Sequence, residues 1–230
     1  MFYPESITSI KPNDKVLEVG PGGTPHPRSD CFLEKIFDTE EEWEVQRGLV
    51  PKLNSEKKTF YYDGNAFPFK DKEFDYVICS HVVEHVENIH EFISELFRVA
   101  SRGYIEFPTI YYEYLYNFKY HVNFVKYKDG SLYYLKKSET NIDDFYPVQK
   151  MLYNSLGLGH STLVDDLKHL MIEGFEWEKP FPVLKSKSFN DLVSDAPFIP
   201  VFSRSESRNV NYSLLFRVLR RLKRHLGLLK

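Results

Sequence analysis

The chain of 230 residues has few cysteines and no long apolar run. Cys31 and Cys79 are its only cysteines. Two isolated thiols in apparent strands favour a reducing, cytoplasmic setting over a disulfide framework. No stretch approaches the roughly 20 apolar residues of a membrane span. The N-terminus has no basic region followed by an apolar run, so we expect no signal peptide.

Two nucleotide-binding motifs are also absent. The sequence contains neither a G-x-G-x-x-G fingerprint nor a G-K-[ST] pair. Because these motifs hold the phosphates of dinucleotides and nucleoside triphosphates, their absence argues against NAD and ATP as ligands.

Acidic residues are missing from the end of the chain. Net charge is −3, but no Asp or Glu follows Glu206, and seven basic residues do, which leaves −10 for residues 1–206. The negative charge of residues 1–206 disfavours nucleic acid as a partner, because the phosphate backbone is also negatively charged. Residues 206–230 predict a basic amphipathic helix. It could dock on the domain, lie on an anionic membrane surface or contact a polyanion.

The stretch that organises the sequence is an apolar run followed by glycines. Residues 16–19 are apolar except for Glu18, which is typical of a strand covered on both faces. Gly20, Gly22 and Gly23 follow at once and allow a sharp turn and a close backbone approach to a ligand.

Further short apolar runs alternate with polar connections and predict more strands. These strands cover residues 31–34, 59–63, 74–80 and 103–107, with a last candidate at 175–178. Asn88 and Glu91 have the spacing of a capping box before a helix. The helix has one apolar face, formed by Ile89, Phe92, Ile93, Leu96 and Phe97. The alternation predicts an α/β fold of three layers around a mostly parallel sheet.

Other elements are predicted from local patterns. Helices are expected over residues 40–48 and 163–172, and Asp129-Gly130 predicts a hairpin turn. Residues 109–128 are rich in aromatic side chains and follow a central strand. They predict either a helical cover or a lid that forms a wall for the substrate.

Carboxylates end the second and third predicted strands. Glu34 and Asp63 would therefore lie with the glycine turn at the carboxyl edge of the sheet, where α/β proteins bind ligands. There Glu34 could accept hydrogen bonds from two ribose hydroxyls, and Asp63 could accept one from the amine of adenine.

Three ordered motifs, at residues 16–22, 63–77 and 80–86, resemble the class I S-adenosylmethionine-dependent methyltransferases, with the small-molecule "type 11" branch most similar. The resemblance covers about residues 14–108. It implies a Rossmann-like sheet of seven strands and S-adenosylmethionine as cofactor, with S-adenosylhomocysteine as product. The cofactor-binding residues would be Glu18, Gly20, Pro21, Gly22, Glu34, Asp63, Gly64, Ala66, Ser80 and His81.

The sequence departs from the family pattern in its first crossover. Only twelve positions separate Gly22 from Glu34, and Pro25 and Pro27 lie between them. Because proline disrupts regular helix, the usual first helix must be lost or cut to a turn. We therefore assign ribose binding to Glu34 and keep Asp38 as the alternative residue.

Methyl transfer to a hydroxyl requires alignment of the acceptor and removal of its proton. His81, His85 and His121 are the candidate catalytic bases. His81, Glu84 and His85 also match the H-x-x-E-H of inverted zinc proteases, but here the motif follows a buried strand within a methyltransferase pattern. We assign no metal ligand. A divalent metal that helps to bind the acceptor, as in similar ubiquinone-biosynthesis O-methyltransferases, is the alternative.

The sequence thus predicts a methyltransferase domain over residues 1–205 and a separate C-terminal helix. The expected reaction is in-line methylation, at oxygen, of a small-molecule, glycan or lipid-linked acceptor. The expected location is cytoplasmic, with the basic helix favouring the inner membrane face. The alternative is a non-enzymatic module that keeps the nucleoside pocket and binds a partner.

Overall fold

The computed structural model describes residues 1–41, 53–159, 164 and 167–193. Its central strands are β1 (Val16–Val19), β2 (Cys31–Lys35), β3 (Thr59–Tyr62), β4 (Phe74–Ser80), β5 (Ala100–Pro108) and β8 (Ile172–Trp177). The remaining strands are β6 (Asn123–Lys128), β7 (Ser131–Lys136) and β9 (Val183–Lys185). The helices are α1 (Ile89–Val99), α2 (Ile110–Tyr116), α3 (Tyr146–Gly157) and α4 (Lys168–Met171). Short 3₁₀ turns cover Pro4–Ser6, Lys137–Glu139, Ile142–Phe145 and Phe189–Asp191.

The main sheet confirms the predicted α/β fold. Its strand order is β3-β2-β1-β4-β5-β8, and every neighbouring pair is parallel except β5 with β8. The family resemblance implied seven strands, whereas the described residues form six in this sheet. Chain order reverses between β1 and β4, so the carboxyl ends of these two strands flank the crevice where such sheets bind ligands.

The first crossover contains no helix, as the sequence predicted. Residues 20–30 form only turns and bends between the parallel strands β1 and β2. Glu18 in β1 stabilises this connection, because its Oε2 accepts hydrogen bonds from the backbone N of His26 (2.9 Å) and the Oγ of Ser29 (2.6 Å).

Helix α1 covers one face of the sheet. The backbone N of Glu91 donates to Oδ1 of Asn88 (3.4 Å), which confirms Asn88 as the N-cap. The inward face of α1 is Ile89, Phe92, Ile93, Leu96 and Val99. This face joins Leu17, Val77 and Ile105 in the main hydrophobic core. The helix packs on the sheet because its apolar residues recur on one side.

The opposite face is covered by the N-terminal segment in the described part of the chain. Val16, Tyr76, Ile78 and Tyr104 form a second buried cluster there, and Met1, Ile7 and Ile10 pack against it. The third layer is therefore irregular chain rather than a helix, as far as residues 1–41, 53–159, 164 and 167–193 show.

A small sheet lies beside the main one, in the order β6-β7-β9. Strands β6 and β7 form the predicted hairpin, with Asp129 and Gly130 at φ of 51° and 74°. Positive φ at both positions is what a two-residue hairpin turn of the primed type requires.

Several element predictions need correction. The helix predicted over 163–172 is described only as α4, because Ile172 already pairs with Pro108 as the first residue of β8. Helix α3 and strand β9 were not predicted. The helix predicted over 40–48 lies mostly outside the described residues.

Residues Met1–Val193 form one compact unit. The predicted domain boundary at 205 and the basic segment 206–230 lie outside the described residues, so they remain predictions. Among the described helices, none is both long and apolar enough to cross a membrane.

Candidate active site

A cavity of about 1240 Å³ opens at the carboxyl ends of the central strands. Its wall at one end is formed by the residues that follow β1, β2, β3 and β4. At the other end it is bounded by α2, the loop after α2, and α3. The cavity is large enough for a nucleoside-sized ligand together with a second small molecule.

The glycine turn forms the wall nearest to β1. Gly20 and Gly22 have φ of 62° and 59°, a region that other residues rarely adopt. The backbone N of Gly20 donates to the carbonyl oxygen of Leu33 (2.9 Å), so the turn is tied to β2. A Cβ on Gly20 would lie 2.6 Å from Cγ2 of Val82. Glycine is therefore needed here for both backbone conformation and space.

Nine of the ten predicted cofactor residues line this cavity, and Ala66 is the exception. Ala66 is exposed and outside the lining, while its neighbour Asn65 lines the wall. Asp38, the reserve for the ribose ligand, is not part of the wall, whereas Glu34 is. Because these residues come from four different strand ends, only the parallel sheet brings them together.

Two of the predicted carboxylates differ in environment. Glu18 is 2% exposed, and burial raises its pKa against the hydrogen bonds from Ser29 and His26. Asp63 is exposed, and hydrogen bonds from Asn65, whose backbone N lies 3.0 Å from Oδ1, lower its pKa. Asp63 is therefore an ionised acceptor at the cavity edge, whereas Glu18 is part of the supporting structure behind the glycine turn.

His81 lies between two buried carboxylates. Its Nδ1 is 3.3 Å from Oε1 of Glu84, and its Nε2 is 3.3 Å from Oε1 of Glu106. Burial opposes charge on the imidazole, but Glu106 and Glu84 outweigh it and raise the pKa of His81 to about 9. His81 is consequently a cation at neutral pH and is a poor proton acceptor.

Glu106, which the sequence analysis did not select, organises this end of β5. Its carboxylate accepts hydrogen bonds from the backbone N atoms of Phe2 (2.7 Å) and Tyr3 (2.8 Å), and from the Oγ of Ser80 (2.6 Å). It also accepts one from Tyr104 Oη (2.9 Å). The available signal was a lone acid within an apolar strand, the same signal that singled out Glu18.

His85 and His121 are in contact in the cavity wall, where the turn after β4 meets the loop after α2. Their ring centroids are 4.4 Å apart in an edge-to-face arrangement. Nδ1 of His85 lies 3.1 Å from the carbonyl oxygen of Tyr120, and Nδ1 of His121 pairs with the buried carboxylate of Glu113. Burial, followed by the neighbouring His121, lowers the pKa of His85 to about 4. His85 is therefore neutral at physiological pH.

The three predicted catalytic histidines thus share one cavity, in which the pKa of His81 is raised and that of His85 is lowered. They do not form the metal site of an inverted zinc protease. Residues 81–85 form a turn rather than a helix, His81 has φ of 58°, and its two ring nitrogens face carboxylates. The H-x-x-E-H pattern therefore does not present both histidines to a single ion.

The aromatic segment 109–128 lines part of the cavity, and its role as a helical cover or as a lid over the substrate stays a prediction. It begins with α2 and continues as a loop into β6. Its cavity-facing residues are Tyr112, Tyr116, Asn117, Phe118, Lys119, Tyr120 and His121. Tyr146 and Tyr153 of α3 extend the same aromatic wall. Such a wall suits a flat or ring-containing ligand.

Comparison with known proteins agrees with these observations. Residues 43–105 match a family model described as a methyltransferase domain. Ajmaline N-methyltransferase of Rauvolfia serpentina is 34% identical over 76 residues, which are 32% of this chain and 26% of that protein. Norajmaline N-methyltransferase of the same plant is 35% identical over 65 residues, 27% of this chain and 22% of that protein. The chain thus spans about a quarter of the length of these curated relatives.

A candidate methyltransferase from Bacillus halodurans C-125 is among the similar solved structures. It is 22% identical, with a TM-score of 0.38, over 51% of this chain and 59% of that chain. The family-model match overlaps two of the three motifs at residues 16–22, 63–77 and 80–86. The chain is therefore similar to the class I S-adenosylmethionine-dependent methyltransferases of the methyltransferase-domain family, as its sequence predicted.

Proposed function

We propose that this protein transfers a methyl group from S-adenosylmethionine to a small-molecule acceptor. The observation that carries the proposal is one cavity that holds the glycine turn, Glu34 and Asp63, and also the contact between His85, after β4, and His121, in the loop after α2. A bound cofactor would supply an activated methyl on its sulfonium. The family-model match at residues 43–105 supports this cofactor over other nucleosides.

The chain's own residues would contribute binding and proton removal. Glu34 would accept the ribose hydroxyls and Asp63 an amine of the base, while Gly20 and Gly22 leave space for the methionine portion. Glu34, Asp63 and the glycine turn would hold the cofactor so that it could supply its methyl group to the acceptor and leave as the neutral thioether. The acceptor proton would leave to a neutral imidazole, for which His85 is better suited than the cationic His81.

The acceptor atom is proposed to be oxygen, as expected from the sequence. A hydroxyl needs a base when it attacks, and the cavity offers His85 and His121 for that task. Nitrogen is the second candidate, because two relatives are named as N-methyltransferases. A neutral amine attacks without prior deprotonation, so His85→Gln would reduce O-methylation far more than N-methylation.

The cofactor site is tested by thermal unfolding with S-adenosylhomocysteine. A ligand at 100 times its dissociation constant stabilises the folded protein by about 2.7 kcal/mol. We expect this stabilisation in the native chain and a clear loss of it in Glu34→Ala and Asp63→Ala. Glu56→Ala is the control, since Glu56 is exposed and outside the cavity. Equal stabilisation of all four proteins would refute the assigned contacts.

Turnover separates the proposal from its alternative, a non-enzymatic nucleoside-binding module. The assay follows S-adenosylhomocysteine production with a panel of hydroxyl and amine acceptors. Formation of product that depends on an acceptor supports the enzyme. Cofactor binding with no turnover on any acceptor in the panel supports the binding module instead.

A further inference from the structure

Two lysines lie in the aromatic wall of the cavity, which is formed by α2, the loop after it and α3. Lys119, in that loop, and Lys150, in α3, both line the cavity. Neither lysine forms a salt bridge with a residue that the structure describes. From Tyr112 to Val164 the described lining contains these two lysines and no carboxylate. This part of the cavity therefore carries positive charge that no neighbouring acid balances.

The ammonium groups of both lysines lie close to one aromatic ring. Nζ of Lys119 is 5.3 Å from the ring centroid of Tyr146, and Nζ of Lys150 is 5.7 Å from it. Lys150 follows Tyr146 by four positions in α3, so the two side chains share one side of the helix. A cation–π contact attracts an ammonium group to a ring but does not neutralise its charge. Both cations remain available to a negatively charged ligand.

Hydrogen bonds fix the backbone that carries the two lysines. Nδ2 of Asn117, at the end of α2, donates to Oε1 of Gln149 in α3 (3.1 Å) and to Oδ1 of Asp143 (2.8 Å). Asn117 and Gln149 are both buried, whereas Asp143 is exposed and is not part of the cavity lining. Lys119 follows Asn117 by two positions, and Lys150 follows Gln149 directly. The network therefore sets the position of both lysines relative to each other.

The charge of this wall is opposite to that of the protein as a whole. Residues 1–206 carry a net charge of −10. Glu34 and Asp63, which also line the cavity, belong to the ends of β2 and β3 and not to this wall. Clefts lined by charge of one sign concentrate ligands of the opposite sign. Lysine is also a common ligand of carboxylate and phosphate groups.

We propose that Lys119 and Lys150 bind a carboxylate or phosphate group of the acceptor. The acceptor would then be a ring-containing small molecule with a negatively charged substituent, because the aromatic wall suits its ring and the lysines suit its charge. This inference rests on the proposed function, since it names the substrate class of the same cavity. The two lysines bind and orient the acceptor and take no part in the proton transfer.

The test is an NMR titration of the full chain with benzoate and with its neutral analogue benzamide, with and without S-adenosylhomocysteine. The native chain should bind benzoate about tenfold more tightly than benzamide, which is about 1.4 kcal/mol. High salt should reduce this preference, because it screens exposed charges. Lys119→Gln combined with Lys150→Gln should abolish the preference. Lys119→Arg combined with Lys150→Arg should retain it, because arginine keeps both charges.

A second double variant, Lys58→Gln with Lys70→Gln, is the matched control. Both residues are exposed and outside the cavity, and Lys58 lies over the ring of Phe60 at 4.3 Å. This variant loses the same two charges, so it should keep the native preference for benzoate. An equal loss of preference in the control would overturn the proposal, because net charge rather than a site would then explain it.

Pelleting with phosphatidylglycerol vesicles distinguishes a small anion from a lipid surface. Pelleting that depends on Lys119 and Lys150, in a chain that shows no preference for benzoate, would overturn the small-molecule assignment. Loss of S-adenosylhomocysteine binding in the cavity double variant would also overturn it, because the lysines would then hold the carboxylate of the cofactor.

The two proposals in this cavity can fail separately. Cofactor binding by a native chain that binds benzoate and benzamide equally refutes the anion site alone. The same holds if the cavity double variant keeps the preference. A preference for benzoate that depends on the two lysines, in a chain that does not bind S-adenosylhomocysteine, refutes the proposed function and leaves the anion site standing.

Discussion

Replacing Gly20 with alanine tests whether the glycine turn after β1 shapes the cofactor end of the cavity. The residue has φ of 62°, and its added Cβ would lie 2.6 Å from Cγ2 of Val82. Left-handed backbone costs a non-glycine residue about 1–2 kcal/mol. Overpacking a close contact adds about 1–3 kcal/mol. We therefore expect Gly20→Ala to lose more unfolding free energy than the backbone effect alone would cause.

Gly130 is the matched control for this substitution. It has a similar φ of 74°, but its added Cβ would meet nothing within 4 Å. Gly130→Ala should therefore cost about 1–2 kcal/mol through the backbone alone. Urea denaturation of both variants measures the difference. The combination Gly20→Ala with Val82→Ala should recover most of the packing loss, because it removes the atom that the new Cβ meets.

The cofactor assay gives the second readout. Gly20 and Val82 both line the cavity, so a shift of either toward the ligand should weaken S-adenosylhomocysteine binding at least tenfold, which is about 1.4 kcal/mol. Gly130→Ala should leave affinity unchanged. Equal stability losses at the two glycines, or native affinity in Gly20→Ala, would refute the reasoning.

Two further predictions concern β8. Burial acts to raise the pKa of Glu176, but hydrogen bonds from Ser9 and Tyr76 outweigh it and lower the pKa to about 2. The native chain should therefore exceed Glu176→Gln in stability by up to about 3 kcal/mol above pH 4.5. This advantage should fade as pH falls toward 2, and a pH-independent difference in denaturant titrations would contradict it. In Gly174→Ala the new Cβ would clash with the phenol of Tyr104. Thermal unfolding should therefore show a loss of about 1–3 kcal/mol in unfolding free energy, and Tyr104→Phe should recover part of it. A Gly174→Ala variant as stable as the native chain would contradict this.

Local sequence patterns were sufficient for most of the central sheet. Periodicity and capping depend on neighbouring residues, so they can be read from a short stretch of sequence. Such local patterns predicted the strands β1 and β4 and the capped helix α1. The shortened first crossover could also be read directly, since Pro25 and Pro27 leave no room for a helix. Helix α3 was missed because it follows a 3₁₀ turn without a side-chain cap and exposes apolar residues such as Met151.

The candidate site could be predicted only in part. Strand-end residues such as Glu34 and Asp63 could be assigned to one edge, since parallel strands share the direction of their carboxyl ends. The exposure of Ala66 could not be read from the sequence, because it depends on which way the loop after β3 turns. Glu106 was passed over for a similar reason, as its partners Phe2 and Tyr3 are more than 100 positions away.

The amino-acid sequence by itself determined the α/β class, the glycine turn and nine residues that line the cavity. Only the tertiary structure decided what each histidine can do. The pKa of His81 is raised because Glu106 of β5 and Glu84 lie next to its ring. The pKa of His85 is lowered because burial and the neighbouring His121 disfavour its charged form. Protonation depends on the distances between groups that are remote in sequence. Those distances are fixed by the packing of the sheet and the loops at its edge.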